Sequence, residues 1–141
     1  MIMTFEELKK SSLKYGIKVV WHDWHSDLLR SKRVGFNPRY EKVLSFVPGD
    51  EMFVYLTKYQ ILFGLYKVKG NWKLGKNLYP EKGRFSSVIP VDLLFDAQNG
   101  VPLRQIQQII PKFDPTLPGV SYVPIDLSEY NALHNLMITN G

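Results

Sequence analysis

Two tryptophans stand among histidines and a carboxylate in the segment WHDWH at positions 21–25, and Asp27 follows shortly after it. These residue types suit the binding of a single nucleobase outside a duplex, because such a base needs aromatic faces to stack on and polar groups along its edge. Trp21 and Trp24 supply faces. Asp23 and Asp27, when ionised, can only accept hydrogen bonds, so they would select an exocyclic amine such as that of adenine or cytosine. The alternative is that both tryptophans belong to the core.

The same segment contains the side-chain types of a metal site. His22, Asp23 and His25, together with the distant His134, have the ligand types that a small metal-dependent hydrolase would use. Their spacing does not favour this chemistry, because His22 and His25 are three residues apart where a strand ends, and no Glu motif accompanies them. We therefore expect no metal site. Capping of the next helix and solvation of these side chains remain an alternative role.

Basic side chains surround this segment. Residues 1–90 contain 16 Lys and Arg against 8 Asp and Glu, whereas residues 91–141 contain 2 against 5, so the net charge of +5 is unevenly distributed. This distribution favours a polyanionic partner, and basic residues interleaved with aromatic ones are typical of a surface that follows phosphates. A solvated basic surface and a domain that binds an acidic protein are the alternatives. The predicted backbone contacts are Arg30, Lys32, Arg33, Arg39, Lys42, Lys69, Lys73 and Lys76.

Several classes of protein are excluded by the composition. A chain of 141 residues that is 45% hydrophobic forms one domain with a core, and the absence of cysteine excludes disulfides and thiol catalysis. No P-loop, dinucleotide-binding motif, Gly-x-Ser-x-Gly motif or Ser/His/Asp set is present, so we expect neither catalysis nor a cofactor. Apolar runs are too short to span a membrane, and Glu6 and Glu7 stand where a signal peptide needs apolar residues. We expect a cytoplasmic protein with no membrane partner.

The predicted elements that must position these residues are strands in the middle of the chain and helices at both ends. This order is typical of the α+β class with an antiparallel or mixed sheet. Residues 34–50 are predicted to be irregular and to end in a Pro-Gly turn, after which Asp50 and Glu51 should face solvent. Gly64 predicts a bulge. The predicted strands are 17–22, 51–57, 60–69 and 85–95, the predicted helices are 4–14, 26–33, one opened by Pro102 and one capped by Ser128, and 70–83 is a predicted loop.

One stretch resembles a known family. The segment GFNP at positions 35–38 leads through Arg39 and Lys42 into VPGD at positions 47–50 and then into the strands around FVY and ILFGLYKV. This order is similar to that of the EVE family of PUA-like domains, in which a basic loop, a Gly-Asp turn and two hydrophobic strands follow a short Trp-Gly-Val segment. Val34 stands where the family's Trp would precede Gly35. The single domain would comprise residues 1–141, with residues 17–137 as the family core and residues 1–15 as an extra N-terminal helix.

The resemblance implies a twisted mixed sheet or pseudo-barrel, flanked by helices, with a pocket for one base. Related YTH domains hold a methylated adenine in an aromatic cage, and EVE-like domains serve as targeting modules of McrBC-type restriction systems, which flip a methylated base out of DNA. We therefore predict a non-catalytic module that binds a methylated base, with DNA favoured over RNA and a motor or nuclease as a further partner. An RNA-binding PUA-like domain is the first alternative, and a small metal-dependent hydrolase that uses His22, Asp23 and His25 is a less favoured one. The predicted base-binding residues are Trp21, His22, Asp23, Trp24, Asp27, Phe36, Asn37 and Trp72.

Overall fold

The computed structural model describes residues 14–20, 33–36, 46–70, 73–74, 87–116 and 122–140. Within these ranges the chain forms seven strands and two helices. The strands are β1 (Tyr15–Val20), β2 (Arg33–Phe36), β3 (Glu51–Leu56), β4 (Ile61–Val68), β5 (Lys73–Leu74), β6 (Ser87–Pro102) and β7 (Tyr122–Ile125). The helices are α1 (Leu103–Ile109) and α2 (Leu127–Asn140).

The described strands form one mixed sheet in the order β2-β6-β4-β3-β1-β7, and β5 also pairs with β6. β1 and β3 are parallel, in register from Tyr15 opposite Glu51 to Val20 opposite Leu56, and the other described pairings are antiparallel. The α+β class and the mixed sheet predicted from the sequence are therefore confirmed. Because β1 and β3 point the same way, the end of β1 and the β3–β4 turn lie at the same edge of the sheet.

β6 joins two parts of the sheet. Its first residues pair with β2 on one side and β5 on the other, and from Val91 onwards it pairs with β4. The register shifts beside Gly64, which confirms the predicted bulge, and a Cβ added at Gly64 would lie 3.2 Å from the carbonyl oxygen of Phe95. Bulges increase the local twist of a sheet, and this one adds to the curvature of the long strand.

The central strands are buried on both faces, and alternate residues enter two different cores. Ile17 and Val19 of β1 pack with the buried side chains of the helices, whereas Val20 packs into the other core with Met52 and Val54 of β3. The first core is completed by Ile106 of α1 and by Leu133 and Met137 of α2. Hydrophobic residues at successive positions of β1 and β3 are thus explained by burial on both sides.

The last helix begins one residue before the predicted cap. The Asp126 N–H donates to Glu129 Oε1 at 2.9 Å, and the Glu129 N–H donates to Asp126 Oδ1 at 2.8 Å, which is a reciprocal capping box. Ser128 therefore lies inside α2 and is not its cap. The prediction that Ser128 caps this helix was wrong, because Asp126 is the cap and Glu129, three residues later, completes its capping box.

Three regions predicted as irregular or shorter contain strands instead. Residues 33–36, assigned to the end of a helix and to an irregular segment, form β2, and Lys73 and Leu74 of the predicted loop form β5. β6 also continues to Pro102, beyond the predicted end at residue 95. These strands form through pairing with distant segments, and β2 and β5 are too short for a hydrophobic pattern to reveal.

The predicted helix at residues 4–14 lies outside the described residues except for Lys14, which precedes β1. Residues 26–32 of the second predicted helix also lie outside them. The other predicted elements are observed close to their predicted bounds: Pro102 directly precedes α1, and the turn at residues 47–50 has Gly49 at a φ of 101°. No helix in the described ranges is long and apolar enough to cross a membrane.

Candidate functional site

Most of the predicted site residues fall outside the described ranges, so their roles stay predictions. These are Trp21, His22, Asp23, Trp24, Asp27, Arg30, Lys32, Asn37, Arg39, Lys42, Trp72 and Lys76. Arg33, Phe36 and Lys73 are described by their backbone positions in β2 and β5, and Lys69 is described with its side chain. The structure does describe the ends of the strands that adjoin these residues in the sequence.

One group of predicted residues comes together around the first part of β6. Phe36 pairs with Ser87, Arg33 pairs with Pro90, and Lys73 pairs with Val88 from the other side. The Lys69 N–H donates to the carbonyl oxygen of Pro90 at 3.0 Å. Three predicted phosphate contacts and one predicted base contact are therefore positioned on or beside one strand segment.

Lys69 already has an acidic neighbour. Its ammonium lies 3.8 Å from Asp92 Oδ1, and both side chains are about half exposed. An exposed pair of this kind contributes little to stability because solvent screens it. Lys69 can therefore exchange this carboxylate for a phosphate at small cost, but its charge is partly balanced in the free protein.

The other predicted group begins at the end of β1. The carbonyl oxygen of Val20 accepts hydrogen bonds from the Thr57 N–H at 3.0 Å and from the Thr57 hydroxyl at 3.2 Å. Trp21, the first predicted base-binding residue, follows Val20 in the sequence. The predicted segment at positions 21–25 therefore starts from a point that the β3–β4 turn fixes. Val20 also shares a core with Ile89, which pairs with Val34 in β2, so this core connects the two groups.

A lysine that the sequence analysis did not select lies inside the sheet. Lys18 alternates with Ile17 and Val19 along β1 and is only 4% exposed. Its register partners are Val54 and Tyr122. Burial lowers the pKa of the Lys18 ammonium to about 7, because the charged form loses its hydration. The sequence does contain a signal for this buried lysine, because Lys18 stands between apolar residues of a strand that is predicted to be buried.

Two tyrosine hydroxyls are buried on the same side of the sheet as Lys18, those of Tyr66 and Tyr122. The Tyr122 ring packs edge-on against Phe46 with centroids 5.1 Å apart. It also covers Gly16, where an added Cβ would overlap the Tyr122 ring. The core next to β1 therefore contains an ammonium and two phenols among apolar side chains.

A second polar cluster lies at the opposite end of β1. The Tyr130 hydroxyl donates to Glu51 Oε1 at 2.7 Å, and the Tyr130 ring lies 4.4 Å from that of Tyr15. Burial, the hydrogen bond to Glu51 and its charge all raise the pKa of Tyr130. His134 stacks on Tyr130 with centroids 5.9 Å apart. Glu51 therefore has a structural partner and does not simply face solvent as expected.

Replacing Tyr130 by phenylalanine should remove this hydrogen bond and keep the ring contacts. The free energy of unfolding is expected to fall by about 1 to 2 kcal/mol, because the acceptor is a carboxylate in a partly buried site. Urea unfolding of Tyr130→Phe measures it. The matched control is Tyr59→Phe, whose hydroxyl belongs to a half-exposed ring and should change stability little. Equal stability of the two variants would show that the Tyr130–Glu51 bond does not hold α2 against β3.

His134 was one of the four residues considered as metal ligands. It lies on α2 and stacks on Tyr130, whose ring contacts Tyr15 at the start of β1, whereas His22 follows the end of that strand in the sequence. His22, Asp23 and His25 lie outside the described residues. Among the residues that are described, no group of three or more His, Asp or Glu side chains could hold a metal ion.

No protein-family model and no curated protein sequence matches this chain. Its fold does match solved structures. The YTH domain of Pho92 in complex with m6A matches with a TM-score of 0.71 at 11% sequence identity, covering 92% of this chain and 86% of that one. The ASCH protein from Zymomonas mobilis matches with a TM-score of 0.61 at 14% identity, covering 87% and 95%. This chain has a PUA-like fold.

A protein from Leishmania major also matches, with a TM-score of 0.65 at 14% identity, covering 90% of this chain and 96% of that one. The similarity to each of these structures extends over most of both chains. The predicted PUA-like fold is therefore confirmed, whereas the resemblance to EVE domains stays a prediction. At these identities the PUA-like fold alone is shared, so the residues of a binding site must be established on this chain itself.

Proposed function

We propose that this chain is a non-catalytic nucleic-acid-binding module that recognises a methylated base held outside the stack. The observation that carries the proposal is the similarity of its fold to a YTH domain determined with bound m6A. The predicted aromatic segment, residues 21–25, follows Val20 in the sequence, and the Val20 carbonyl oxygen accepts two hydrogen bonds from Thr57.

The chemistry proposed for the pocket follows from the sequence. Trp24, with Trp21, Phe36 or Trp72 as further aromatic faces, would stack on the base, and Asp23, Asp27, His22 and Asn37 would bond to its edge. A methyl group adds apolar contact inside an aromatic cage. The basic residues around β2, β5 and β6 would hold the phosphates.

A finer proposal concerns the biological target. The resemblance of residues 17–137 to EVE domains favours DNA, with this module directing a restriction motor or nuclease to methylated sites. RNA is the alternative target. Both targets present the same flat methylated base, so the backbone sugar must be varied in the experiment.

The test is a binding titration with matched oligonucleotides. Single- and double-stranded DNA and RNA, each with adenine, N6-methyladenine, cytosine or 5-methylcytosine at the centre, would be titrated at several salt concentrations. We expect one methylated base to bind more tightly than its unmodified parent at every salt concentration. Equal affinity for all of them, with only a salt dependence, would describe a general polyanion binder and contradict base recognition.

Two variants separate base recognition from charge. Trp24→Ala should abolish the preference for the methylated base, because stacking on an aromatic ring is worth about 1 to 3 kcal/mol per base. Arg33→Ala should weaken methylated and unmodified oligonucleotides alike and make the salt dependence shallower by about one unit of slope. Mass spectrometry of the oligonucleotide after incubation, with and without added divalent metal, tests the non-catalytic part: any turnover would contradict it.

A further inference from the structure

The β3–β4 turn, residues 57–60, is hydrogen-bonded to Val20, the residue that precedes the proposed base-binding segment in the sequence. Thr57, the first residue of the turn, donates two hydrogen bonds to Val20, and the base-binding segment starts at the next residue after Val20. Thr57 therefore lies against Val20, the last described residue before that segment.

The turn presents an aromatic ring and a cation to solvent. Tyr59 is 50% exposed, so about half of its side-chain surface is open to a ligand. Lys58 is exposed as well, and its ammonium lies 5.7 Å from the centroid of the Tyr59 ring. An aromatic face beside a mobile cation is the combination that proteins use to stack a base and hold its phosphate.

The backbone holds this ring in a defined position. The N–H groups of Tyr59 and Gln60 both donate to the carbonyl oxygen of Leu56, at 3.2 and 2.8 Å. Gln60 has a φ of 55°, in the left-handed region where a glutamine is uncommon. This conformation closes the hydrogen-bonded turn between β3 and β4 that carries Tyr59.

A second basic residue reaches the same edge of the sheet. The Leu103 N–H, at the start of α1, donates to the carbonyl oxygen of Gln60 at 3.3 Å, and the next residue, Arg104, is exposed. Neither the turn TKYQ nor the segment VPLRQI at positions 101–106 contains an acidic residue. The edge therefore combines two cations with one exposed ring, which suits a single-stranded polyanion.

We propose that Tyr59, with Lys58 and Arg104, forms a subsite for the nucleotide next to the extruded base. This rests on the proposed function for the position of that base. Tyr59 stacks on the neighbouring base without reading its identity, because every base has a flat face, and Lys58 and Arg104 hold the adjoining phosphates. The module would thus bind a short single-stranded segment around the methylated base and would hold a free nucleoside less tightly.

The experiment compares Tyr59→Ala with wild type on two kinds of probe. One is a single-stranded oligonucleotide of about nine nucleotides with a central methylated or unmodified base, and the other is the free methylated nucleoside. Tyr59→Ala should weaken both oligonucleotides by about tenfold and leave the affinity for the nucleoside unchanged. Tyr59→Phe should bind like wild type, since it keeps the ring. Lys58→Ala and Arg104→Ala should each lower the salt slope by about one unit.

Control variants show whether an effect is specific to this edge. Leu127→Ala removes an exposed apolar side chain at the start of α2, and Lys112→Ala removes an exposed cation beyond the end of α1. Neither should change oligonucleotide affinity by a factor comparable to that of Tyr59→Ala. Thermal unfolding of each variant verifies that the domain remains folded.

The outcomes separate this inference from the proposed function. If wild type prefers the methylated oligonucleotide but Tyr59→Ala binds it equally well, the subsite is wrong and base recognition stands. If wild type shows no methyl preference but Tyr59→Ala still weakens oligonucleotide binding, base recognition is wrong and the turn remains a nucleic-acid contact. An equal loss of nucleoside and oligonucleotide affinity would place Tyr59 in the base pocket and overturn the subsite, as would a wild type that binds no oligonucleotide.

Discussion

Replacing Asp50 by alanine should lower the free energy of unfolding by about 3 to 5 kcal/mol, which is a large fraction of the stability of a small domain. The Asp50 side chain is fully buried. Its Oδ1 accepts a hydrogen bond from the Lys14 N–H at 2.8 Å, and its Oδ2 accepts one from the Val47 N–H at 2.9 Å. Alanine would leave both of these backbone donors without their acceptor in a part-buried site.

The loss should be this large because Asp50 joins two strands far apart in the sequence. Lys14 precedes β1 and Val47 begins the turn before β3, so one carboxylate fixes where both parallel strands start. The Lys14 ammonium adds a longer contact to Asp50 Oδ2 at 3.9 Å, and the Asp50 backbone carbonyl accepts the Val68 N–H of β4 at 2.7 Å. The turn that carries Asp50 is thus attached to β1, β3 and β4.

Urea unfolding of Asp50→Ala and Asp50→Asn measures this contribution. Asparagine keeps one acceptor and turns an NH₂ group toward the other donor, so its loss should lie between those of wild type and alanine. The control is Asp92→Ala, which removes a half-exposed carboxylate paired with Lys69 and should cost well under about 1 kcal/mol. If Asp50→Ala were no more destabilised than Asp92→Ala, Asp50 would not be the residue that joins these strands.

Asp50 also shows what the sequence could and could not reveal. The Pro48-Gly49 turn was predicted because Gly tolerates a positive φ, and the structure has Gly49 in that region. Asp50 was expected to face solvent, and its burial was not predicted. The reason is that its partner Lys14 lies 36 residues earlier, where the local sequence cannot reveal it. The conformation of a turn is determined by adjacent residues, whereas the partner of a buried carboxylate depends on how distant strands are arranged.

The strands show the same division. β3 and β4 were predicted within a residue or two because each is a long apolar run, and the bulge at Gly64 was predicted from the glycine itself. β2 and β5 were not predicted, because strands of four and two residues are too short to show a hydrophobic alternation. Their pairing with β6 depends on segments that are distant in the sequence. The PUA-like fold was reached only through the resemblance of short motifs across residues 17–137.

For the site, the aromatic and acidic residues at positions 21–27 were selected by residue type, and their roles remain predictions. The structure contributes the attachment of that segment at Val20 and the neighbouring turn. Tyr59 and Lys58 were regarded only as a connection between two strands, because exposure cannot be read from a Lys-Tyr pair. Lys18 was missed for the opposite reason: a lysine is expected at the surface, and its burial follows from both faces of β1 being covered.

Replacing Lys18 by methionine should stabilise the protein and flatten its pH dependence. Lys18 is 4% exposed, and burial lowers the pKa of its ammonium to about 7, well below the usual value of about 10.4. Between these two values the unfolded chain binds a proton that the folded chain does not, so the stability of the wild type should rise with pH from about 7 to about 10. Below about pH 7 the folded chain carries the full penalty of a buried charge.

Above about pH 10, titration of the tyrosines should lower the free energy of unfolding. Burial raises the pKa of Tyr55 to about 12 and also raises those of Tyr15 and Tyr130. Above about pH 10 the unfolded chain therefore loses tyrosine protons before the folded chain does, and stability should fall as pH rises further. Among the described groups, the gain from Lys18 therefore ends and the loss from the tyrosines begins near pH 10. The difference between wild type and Lys18→Met removes the tyrosine contribution, since both proteins contain the same tyrosines.

Urea unfolding of Lys18→Met and wild type, at intervals from about pH 6 to about pH 10, measures this difference. Methionine has a similar length and no charge, so near neutral pH the variant should exceed wild type by on the order of 3 kcal/mol, and the gap should close toward pH 10. Lys67→Met, which replaces an exposed lysine of β4, should follow the wild-type curve. A Lys18→Met protein that is less stable than wild type at neutral pH would show that the ammonium is held by contacts stronger than its loss of hydration. A variant that keeps the wild-type slope would show that Lys18 does not titrate between the two pKa values, and the buried charge would then not set the pH dependence of this fold.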